Sequence, residues 1–137
     1  MDSLKVPAKI EALDTVYDFI MQKLASRACA ESKLFQLRLA IEEIFVNIAS
    51  YAYFPGEGEA EIGCKVLEAP LRVVIRFLDS GTPFDPLARE DADTSQEALM
   101  EREGGLGILL VKKTMDDVQY SYENGKNILT IRKSLEE

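Results

Sequence analysis

The sequence predicts an α/β protein built as a two-layer sandwich, in which a mostly antiparallel, mixed sheet carries helices on one face. Two long stretches with apolar residues at helical spacing come before two runs rich in β-branched residues. A third apolar helical stretch follows a glycine cluster, and the chain then closes on two strand-like runs around an Asn-Gly pair. Elements in this order favour helices that pack on one side of a sheet.

The first half of the chain predicts one short strand and two helices. Residues 4–6 form the strand, and a helix runs from residue 10 to about residue 27. Its predicted apolar face consists of Ile10, Leu13, Val16, Tyr17, Ile20 and Leu24. The second helix covers residues 31–50, a stretch without Gly or Pro. Its predicted buried face consists of Leu34, Leu37, Ile41, Ile44 and Ile48 and continues to Ala52.

The second half predicts four strands and one helix. A Pro-Gly-Glu-Gly turn at residues 55–58 leads into a strand near residues 60–67. A second strand covers residues 71–79, and its period of two places Leu71, Val73, Ile75, Phe77 and Asp79 on one face. A helix is expected at residues 106–115. Strands at residues 118–122 and 128–131 form a hairpin, because Asn124-Gly125 is a favoured tight-turn pair.

Composition limits the class of protein. The 137 residues suit a single domain covering residues 1–137. The net charge of −8, from 24 acidic and 16 basic residues, disfavours direct nucleic-acid binding. The chain has no histidine, so histidine-based catalysis is excluded. Cys29 and Cys64 are interpreted as reduced core thiols, and the sequence shows neither a signal peptide nor a membrane-length apolar run. A cytoplasmic location without membrane attachment is expected.

Glu43 and Asn47 are the first candidate site residues. They lie four residues apart on the second helix, roughly 40° apart around its axis, at the edge of the apolar stripe. Glu42 falls on the solvent side, which makes Glu43 the acid poised at the edge of the core. A carboxylate in that position suits a general base, and the Asn amide suits a cation. The alternative is an ordinary helix boundary with polar residues.

Asp79 and Gly81 form a second candidate site at the end of a predicted strand. Asp79 points the same way as the apolar strand face, and a buried carboxylate is costly unless it finds donors. An adenine amino group is such a donor, and Gly81 would let a flat ligand approach the backbone closely. The alternative is an Asp that caps a turn in Asp-Ser-Gly.

The third candidate is a glycine cluster that opens a helix. Gly104, Gly105 and Gly107 lead directly into an apolar run, so free N–H groups at the helix start could bind phosphate oxygens. A flexible loop in front of a core helix is the alternative. Before this cluster, residues 85–104 form a long acidic stretch, in which residues 95–102 suit a short helix. A loop of this length is usually functional or disordered.

These three motifs together resemble the nucleotide-binding motifs of the GHKL ATPase superfamily, and within it the bacterial anti-sigma-factor serine/threonine kinases. The stretches that carry the resemblance are Glu42-Glu43-Ile44-Phe45-Val46-Asn47-Ile48-Ala49, Asp79-Ser80-Gly81-Thr82-Pro83-Phe84-Asp85-Pro86 and Gly105-Leu106-Gly107-Ile108 with Met115-Asp116. They occur in order over nearly the whole chain. The resemblance implies the Bergerat ATP-binding fold, with an ATP lid at about residues 85–104.

The resemblance also implies a role for each site residue. Glu43 would be the catalytic base, and Asn47 would hold the magnesium ion that bridges the phosphates. Asp79, Gly81 and Thr82 would form the adenine end, with Thr130 in the last strand near the adenine. The phosphate turn would consist of Gly104, Gly105, Leu106 and Gly107. ATP and Mg²⁺ are the cofactors so implied.

The resemblance implies partners as well: a sigma factor, an anti-sigma antagonist of the STAS type and a second copy of the chain in a homodimer. The expected reaction moves the γ-phosphate of ATP to a Ser or Thr of the antagonist. One departure is Tyr51, since many of these kinases carry His at that position. A non-catalytic ATP-binding module that sequesters a partner remains an alternative. The ATPase domain of a histidine kinase is a weaker one, because no histidine-bearing hairpin accompanies it here.

Overall fold

The computed structural model describes residues 1–88 and 105–137 of the chain. In chain order the elements are β1 (Asp2–Pro7), α1 (Leu13–Leu24), α2 (Glu31–Asn47), β2 (Glu59–Leu67), β3 (Arg72–Asp79), α3 (Gly105–Thr114), β4 (Asp117–Glu123) and β5 (Lys126–Ser134). Single turns of 3-10 helix occupy Ile10–Ala12 and Pro86–Ala88, and a π-helical segment, Ile48–Ala52, continues α2. Every helix and strand predicted within these residues is confirmed, with ends that differ by a few residues.

In the described parts of the chain, five strands form one sheet in the order β1-β2-β3-β5-β4. All four pairings are antiparallel, so the sandwich class is confirmed and the described strands contain none of the parallel pairings that a mixed sheet would have. The β4–β5 hairpin turns at Asn124 and Gly125, whose φ angles are 54° and 76°. Two successive positive φ values are typical of the tight turn that Asn-Gly favours.

The core lies between the helices and one face of the sheet. Alternation along β3 is strict: Val73, Ile75 and Phe77 are at most 1% exposed, whereas Arg72 and Arg76 on the other face are exposed. The helices contribute buried residues to the same core, among them Val16, Ile20, Leu24, Leu37, Ile41, Ile44 and Phe45. This packing fixes α2 over the sheet and therefore fixes the edge of α2 that carries the candidate site.

Two details of the helices differ from the prediction. Ile10, placed on the buried face of α1, is 56% exposed, because it belongs to the preceding 3-10 turn and is out of phase with the α-helix. The regular part of α2 ends at Asn47 and not at residue 50, since the chain widens into the π segment there. Hydrophobic periodicity does not distinguish a π turn from a continuing α-helix, because both keep the chain helical.

Both cysteines are free thiols, as predicted. Cys64 is buried in β2, and this burial raises the pKa of its thiol to about 11. Cys29 is half-buried in the loop before α2, where burial also raises the pKa of its thiol. As for membrane spans, no helix within residues 1–88 and 105–137 combines the length and the apolar character that crossing a bilayer requires.

Candidate functional site

Glu43 and Asn47 occupy the last turns of α2, at the edge of the core. Both side chains are half-buried, while Glu42 is exposed to solvent. The placement expected from the helical geometry is therefore confirmed: one of two adjacent acids faces the protein edge and the other faces water. Asn47 is the last residue of the regular α-helix, directly before the π segment. π turns inside helices are frequent at functional sites.

The start of α3 lies against Glu43. The α2 and α3 helices pack on each other, and a Cβ atom placed on Gly107 would overlap the Glu43 carboxylate at Oε2. Gly107 therefore lets a carboxylate sit directly on the first turn of α3. That turn has free backbone N–H groups and the positive end of the helix dipole, which together suit an anion.

A buried lysine, Lys133, fixes the other end of α3. Its side chain is only 3% exposed, and Nζ donates to Gln36 Oε1 of α2 at 2.7 Å and to the carbonyl oxygen of Thr114, the last residue of α3. Burial lowers the pKa of Lys133, with Asp116 nearby acting in the opposite direction. A cation at a helix C-terminus is favourable for the helix dipole. The contact ties α3 to both α2 and β5.

Asp79 ends β3 on the inner face of the sheet, as predicted, and is 7% exposed. Its Oδ1 accepts two hydrogen bonds, from the Gly81 amide at 2.9 Å and from Asn127 Nδ2 at 2.9 Å. Among residues 1–88 and 105–137 no donor hydrogen-bonds to Oδ2. The predicted turn-capping role and a ligand-binding role are thus compatible, because each uses a different oxygen of the carboxylate.

Asn127 is a site residue that the sequence analysis missed. It pairs directly with Asp79 across β3 and β5 and is 8% exposed. Besides Asp79, its Nδ2 donates to the carbonyl of Thr82 at 3.1 Å, and its Oδ1 accepts from the Phe84 amide at 3.1 Å and from the Tyr120 hydroxyl at 2.5 Å. The one sequence signal was a polar residue at an inward position of β5, in phase with Leu129 and Ile131.

Thr130 is not where the resemblance placed it. It pairs with Arg76 of β3 and Gln119 of β4, and residues directly opposite in antiparallel strands share a face. That face is the outer one, which carries the exposed Arg76, whereas Asp79 lies on the inner face. The structure therefore does not bring Thr130 to Asp79. The inner-face residue of β5 that lies beside Asp79 is Asn127.

Gly81 and Thr82 pack against the end of the π segment. The Thr82 amide donates to the Ala52 carbonyl at 3.0 Å. A Cβ on Gly81 would overlap that same carbonyl oxygen, so only glycine fits. The loop after β3 and the chain after α2 are thus in direct contact, which connects the end of the sheet near Asp79 to the end of α2 that carries Asn47.

Several predicted positions lie wholly or partly outside the residues that the structure describes. Gly104 lies outside the described residues, as do residues 89–104 of the predicted lid and the short helix expected at 95–102. Gly105 and Leu106 are the first two residues of α3, so their backbone lies at the helix start as predicted. Tyr51, the departure from the family pattern, sits in the π segment and is 48% exposed.

The site combines three chemical features along one side of the helical layer. A half-buried carboxylate touches a glycine-started helix, and an Asn amide stands one turn further along α2. A buried strand-end carboxylate has one oxygen that accepts no hydrogen bond from the described part of the chain. A helix start suits phosphate, an amide oxygen suits a hard cation, and a buried acceptor suits an exocyclic amine. These are the parts that a purine nucleotide with magnesium would need.

Comparison with protein-family models defines the class of protein. The chain belongs to the family of the histidine kinase-like ATPase domain, whose model matches residues 6–133. Membership of an ATPase family implies the use of ATP. The fold is similar to that of a solved structure, the histidine kinase AdeS of Acinetobacter baumannii, with a TM-score of 0.51. The match covers 100% of this chain and 70% of the AdeS chain. At 13% identity this likeness concerns the fold alone.

Within the family, curated proteins similar to this chain include kinases named RsbW. Serine-protein kinase RsbW of Listeria monocytogenes serovar 1/2a is 32% identical over 132 residues, which cover 93% of this chain and 83% of that protein. Serine-protein kinase RsbW of Bacillus thuringiensis strain Al Hakam is 30% identical over 131 residues, which cover 92% of this chain and 80% of that protein.

Proposed function

We propose that this protein is an ATP-dependent serine/threonine protein kinase that acts as an anti-sigma regulatory factor and phosphorylates an anti-sigma antagonist protein. The observation that carries the proposal is the contact between the Glu43 carboxylate and Gly107 at the start of α3. A carboxylate at the helix end that suits a phosphate group supports the role of Glu43 as the proton acceptor. The similarity to kinases named RsbW supports the same activity.

The adenine end fits residues around Asp79. Because Oδ1 already accepts from Gly81 and Asn127, the other oxygen, Oδ2, is the acceptor for the amino group of adenine. Gly81 and the exposed Thr82 form the adjoining wall, held against Ala52. In this assignment Asn127 takes the place that the resemblance gave to Thr130.

The phosphate end fits the turn of Gly104, Gly105, Leu106 and Gly107 together with Asn47. The backbone N–H groups of the turn would bind phosphate oxygens, and the amide oxygen of Asn47 would be a ligand of Mg²⁺. Magnesium normally keeps several waters and phosphate oxygens when it binds a protein through few ligands. One neutral amide is therefore sufficient only if the ion arrives with the nucleotide.

Each residue then has a defined part in phosphoryl transfer. Bound Mg-ATP supplies the phosphoryl group, and this reaction depends mainly on positioning and charge stabilisation. Glu43 accepts the proton of the attacking seryl or threonyl hydroxyl. The α3 helix start stabilises the phosphate charge, and Lys133 keeps α3 in place against Glu43 through its contacts with Gln36 and Thr114.

The partners and the location follow from the same resemblance. A sigma factor would be held by the protein, a STAS-type antagonist would be the phosphate acceptor, and a homodimer would be the working unit. The net charge of −8 supports a protein partner over direct contact with DNA. Such a regulator acts in the cytoplasm, where transcription takes place.

Adenine selection can be tested with Asp79→Asn. Because two protein donors converge on Oδ1, the new amide keeps its oxygen toward them and turns its NH₂ group toward the ligand. A donor then faces the adenine amino donor, which should weaken ADP binding by about 1–3 kcal/mol, or roughly 5- to 150-fold. Isothermal titration calorimetry with ADP and GDP measures this. We expect the wild type to prefer ADP.

Asp14→Asn is the matched control for this experiment. Asp14 is exposed on the first turn of α1, so the same change of charge should leave ADP affinity unaltered. Wild-type binding of GDP as tight as that of ADP would contradict the assignment of Asp79. Unchanged ADP affinity in Asp79→Asn would contradict it as well.

The kinase activity itself is tested by phosphotransfer. Purified protein is mixed with Mg-ATP labelled in the γ-phosphate and with STAS-type antagonist candidates, and the products are separated by mass. The expected result is a label on one Ser or Thr of one antagonist, together with ADP. If the protein binds ATP tightly but transfers phosphate to none of the candidates, the kinase assignment is wrong. The alternative, a non-catalytic ATP-binding module that sequesters a partner, would then be favoured.

A further inference from the structure

The chain that leaves α2 makes specific contacts with the loop after β3. The π segment Ile48–Ala52 ends with the Ala52 carbonyl, which accepts from the Thr82 amide at 3.0 Å. The next residue, Tyr53, reaches the same loop with its side chain: its hydroxyl accepts from the Ser80 amide at 2.7 Å. Ala52 and Tyr53 therefore bond to the amides on either side of Gly81.

The Tyr53 hydroxyl also donates to the carbonyl of Glu59 at 2.5 Å. One hydroxyl group thus joins the first residue of β2 to the first residue after β3. The ring of Tyr53 lies over Gly58, where a Cβ atom would collide with it. The tyrosine is half-buried and is held on both the ring and the hydroxyl, so its position is determined by the fold.

Three consecutive amides after Asp79 are consequently fixed, each by a different acceptor. Ser80 donates to Tyr53, Gly81 donates to Asp79 Oδ1, and Thr82 donates to Ala52. The bond at Ser80 is the one of these three that depends on a side chain distant in sequence, since Tyr53 precedes Ser80 by 27 residues. If it is lost, the backbone directly after Asp79 gains freedom, and the carboxylate loses part of its orientation.

We propose that Tyr53 is a positioning residue for the adenine site, which acts through the Ser80 amide to aim Asp79 Oδ2 at the ligand. The proposal rests on the proposed function, since it requires that Asp79 accepts from the amino group of adenine. Tyr53 follows Asn47 by six residues, across the π segment.

Tyr53→Phe removes the hydroxyl and retains the ring over Gly58. Binding is measured by calorimetry for two nucleotides, ADP and purine riboside diphosphate, which lacks the 6-amino group and cannot use Asp79. The loss of one hydrogen bond predicts ADP affinity lowered by about five-fold, with the affinity for purine riboside diphosphate unchanged. A general loss of structure would weaken both nucleotides equally, and that result would overturn the positioning role.

Tyr17→Phe is the control, because the Tyr17 hydroxyl donates to the Arg38 carbonyl at 3.1 Å in the contact between α1 and α2. This variant should bind both nucleotides as the wild type does. Equal ADP affinity in Tyr53→Phe and the wild type would overturn the proposal but leave the proposed function intact. A wild type that binds ADP no better than purine riboside diphosphate would contradict the role of Asp79 and, with it, this proposal.

Hydrogen exchange gives a second test that does not depend on how well the variant folds. In the wild type the Ser80 amide should be protected to a degree similar to the Gly81 and Thr82 amides, since all three are hydrogen-bonded. Fast exchange at Ser80 beside protected Gly81 would overturn the proposal. In Tyr53→Phe, Ser80 should lose its protection first.

Discussion

Glu43→Gln is expected to lower the rate of phosphoryl transfer by roughly 10²- to 10⁴-fold, the usual contribution of a general base. Glutamine keeps the size and shape of the side chain, so its contact with Gly107 and the position of α3 are preserved. ADP affinity should therefore stay within about two-fold of the wild type, because the lost interaction belongs to the transition state. Single-turnover transfer to the antagonist protein, measured beside calorimetry with ADP, separates the two effects.

The adjacent residue provides a matched control for this experiment. Glu42 is exposed on the same helix, so Glu42→Gln makes the same chemical change one position away and should transfer phosphate at the wild-type rate. Equal rates in all three proteins would show that Glu43 is not the base. Loss of transfer in both variants would indicate that the charge of this helix end matters and not the position of one carboxylate.

Gly107→Ala is expected to have the second large effect, and the sign of its effect on stability is diagnostic. Gly107 lies within α3, where Ala is normally more favourable than Gly by about 1 kcal/mol. Here the new Cβ would overlap the Glu43 carboxylate, so either that side chain leaves its place at the start of α3 or α3 shifts away from α2. We expect the variant to be destabilised by about 1–3 kcal/mol, the usual cost of overpacking, and to lose most of its ATP affinity. Thermal unfolding and calorimetry measure these two quantities.

A double-mutant cycle isolates the contact between Glu43 and Gly107. In a Glu43→Ala background the obstacle is gone, so adding Gly107→Ala should now stabilise the protein according to helix propensity. Nucleotide binding should recover in the double variant relative to Gly107→Ala alone, whereas phosphoryl transfer should stay low because the base is missing. A Gly107→Ala variant that is more stable than the wild type and also binds ATP as tightly would contradict a close approach that matters for the site.

Much of the architecture follows from local patterns in the sequence. The alternation of β3 places Asp79 on the inner face whatever the other strands do, because the side-chain period of a strand is two. The helical period separates Glu43 from Glu42 in the same way, and Asn124-Gly125 determines the tight hairpin turn. These features depend on residues within a few positions of one another.

The partners of the site residues were not predictable in this way. Asn127 reaches Asp79 across 48 positions, and which residue of β5 lies beside Asp79 depends on the register of the sheet. The family resemblance pointed to Thr130, which lies on the opposite face and three residues further along the strand. A shift by an odd number of residues moves a side chain to the other face of a sheet.

The sequence by itself determined the α/β class, the inward direction of Asp79, the edge position of Glu43 and Asn47, and the glycine-started α3. Only the tertiary structure decided that Gly107 receives the Glu43 carboxylate, that Asn127 and Tyr53 hold the loop around Asp79, and that Lys133 anchors α3. The physical reason is the distance along the sequence over which each kind of interaction acts. Periodicity and turn chemistry act over a few residues, whereas close packing and buried hydrogen bonds join residues that are distant in sequence, and their partners are set by the assembled fold.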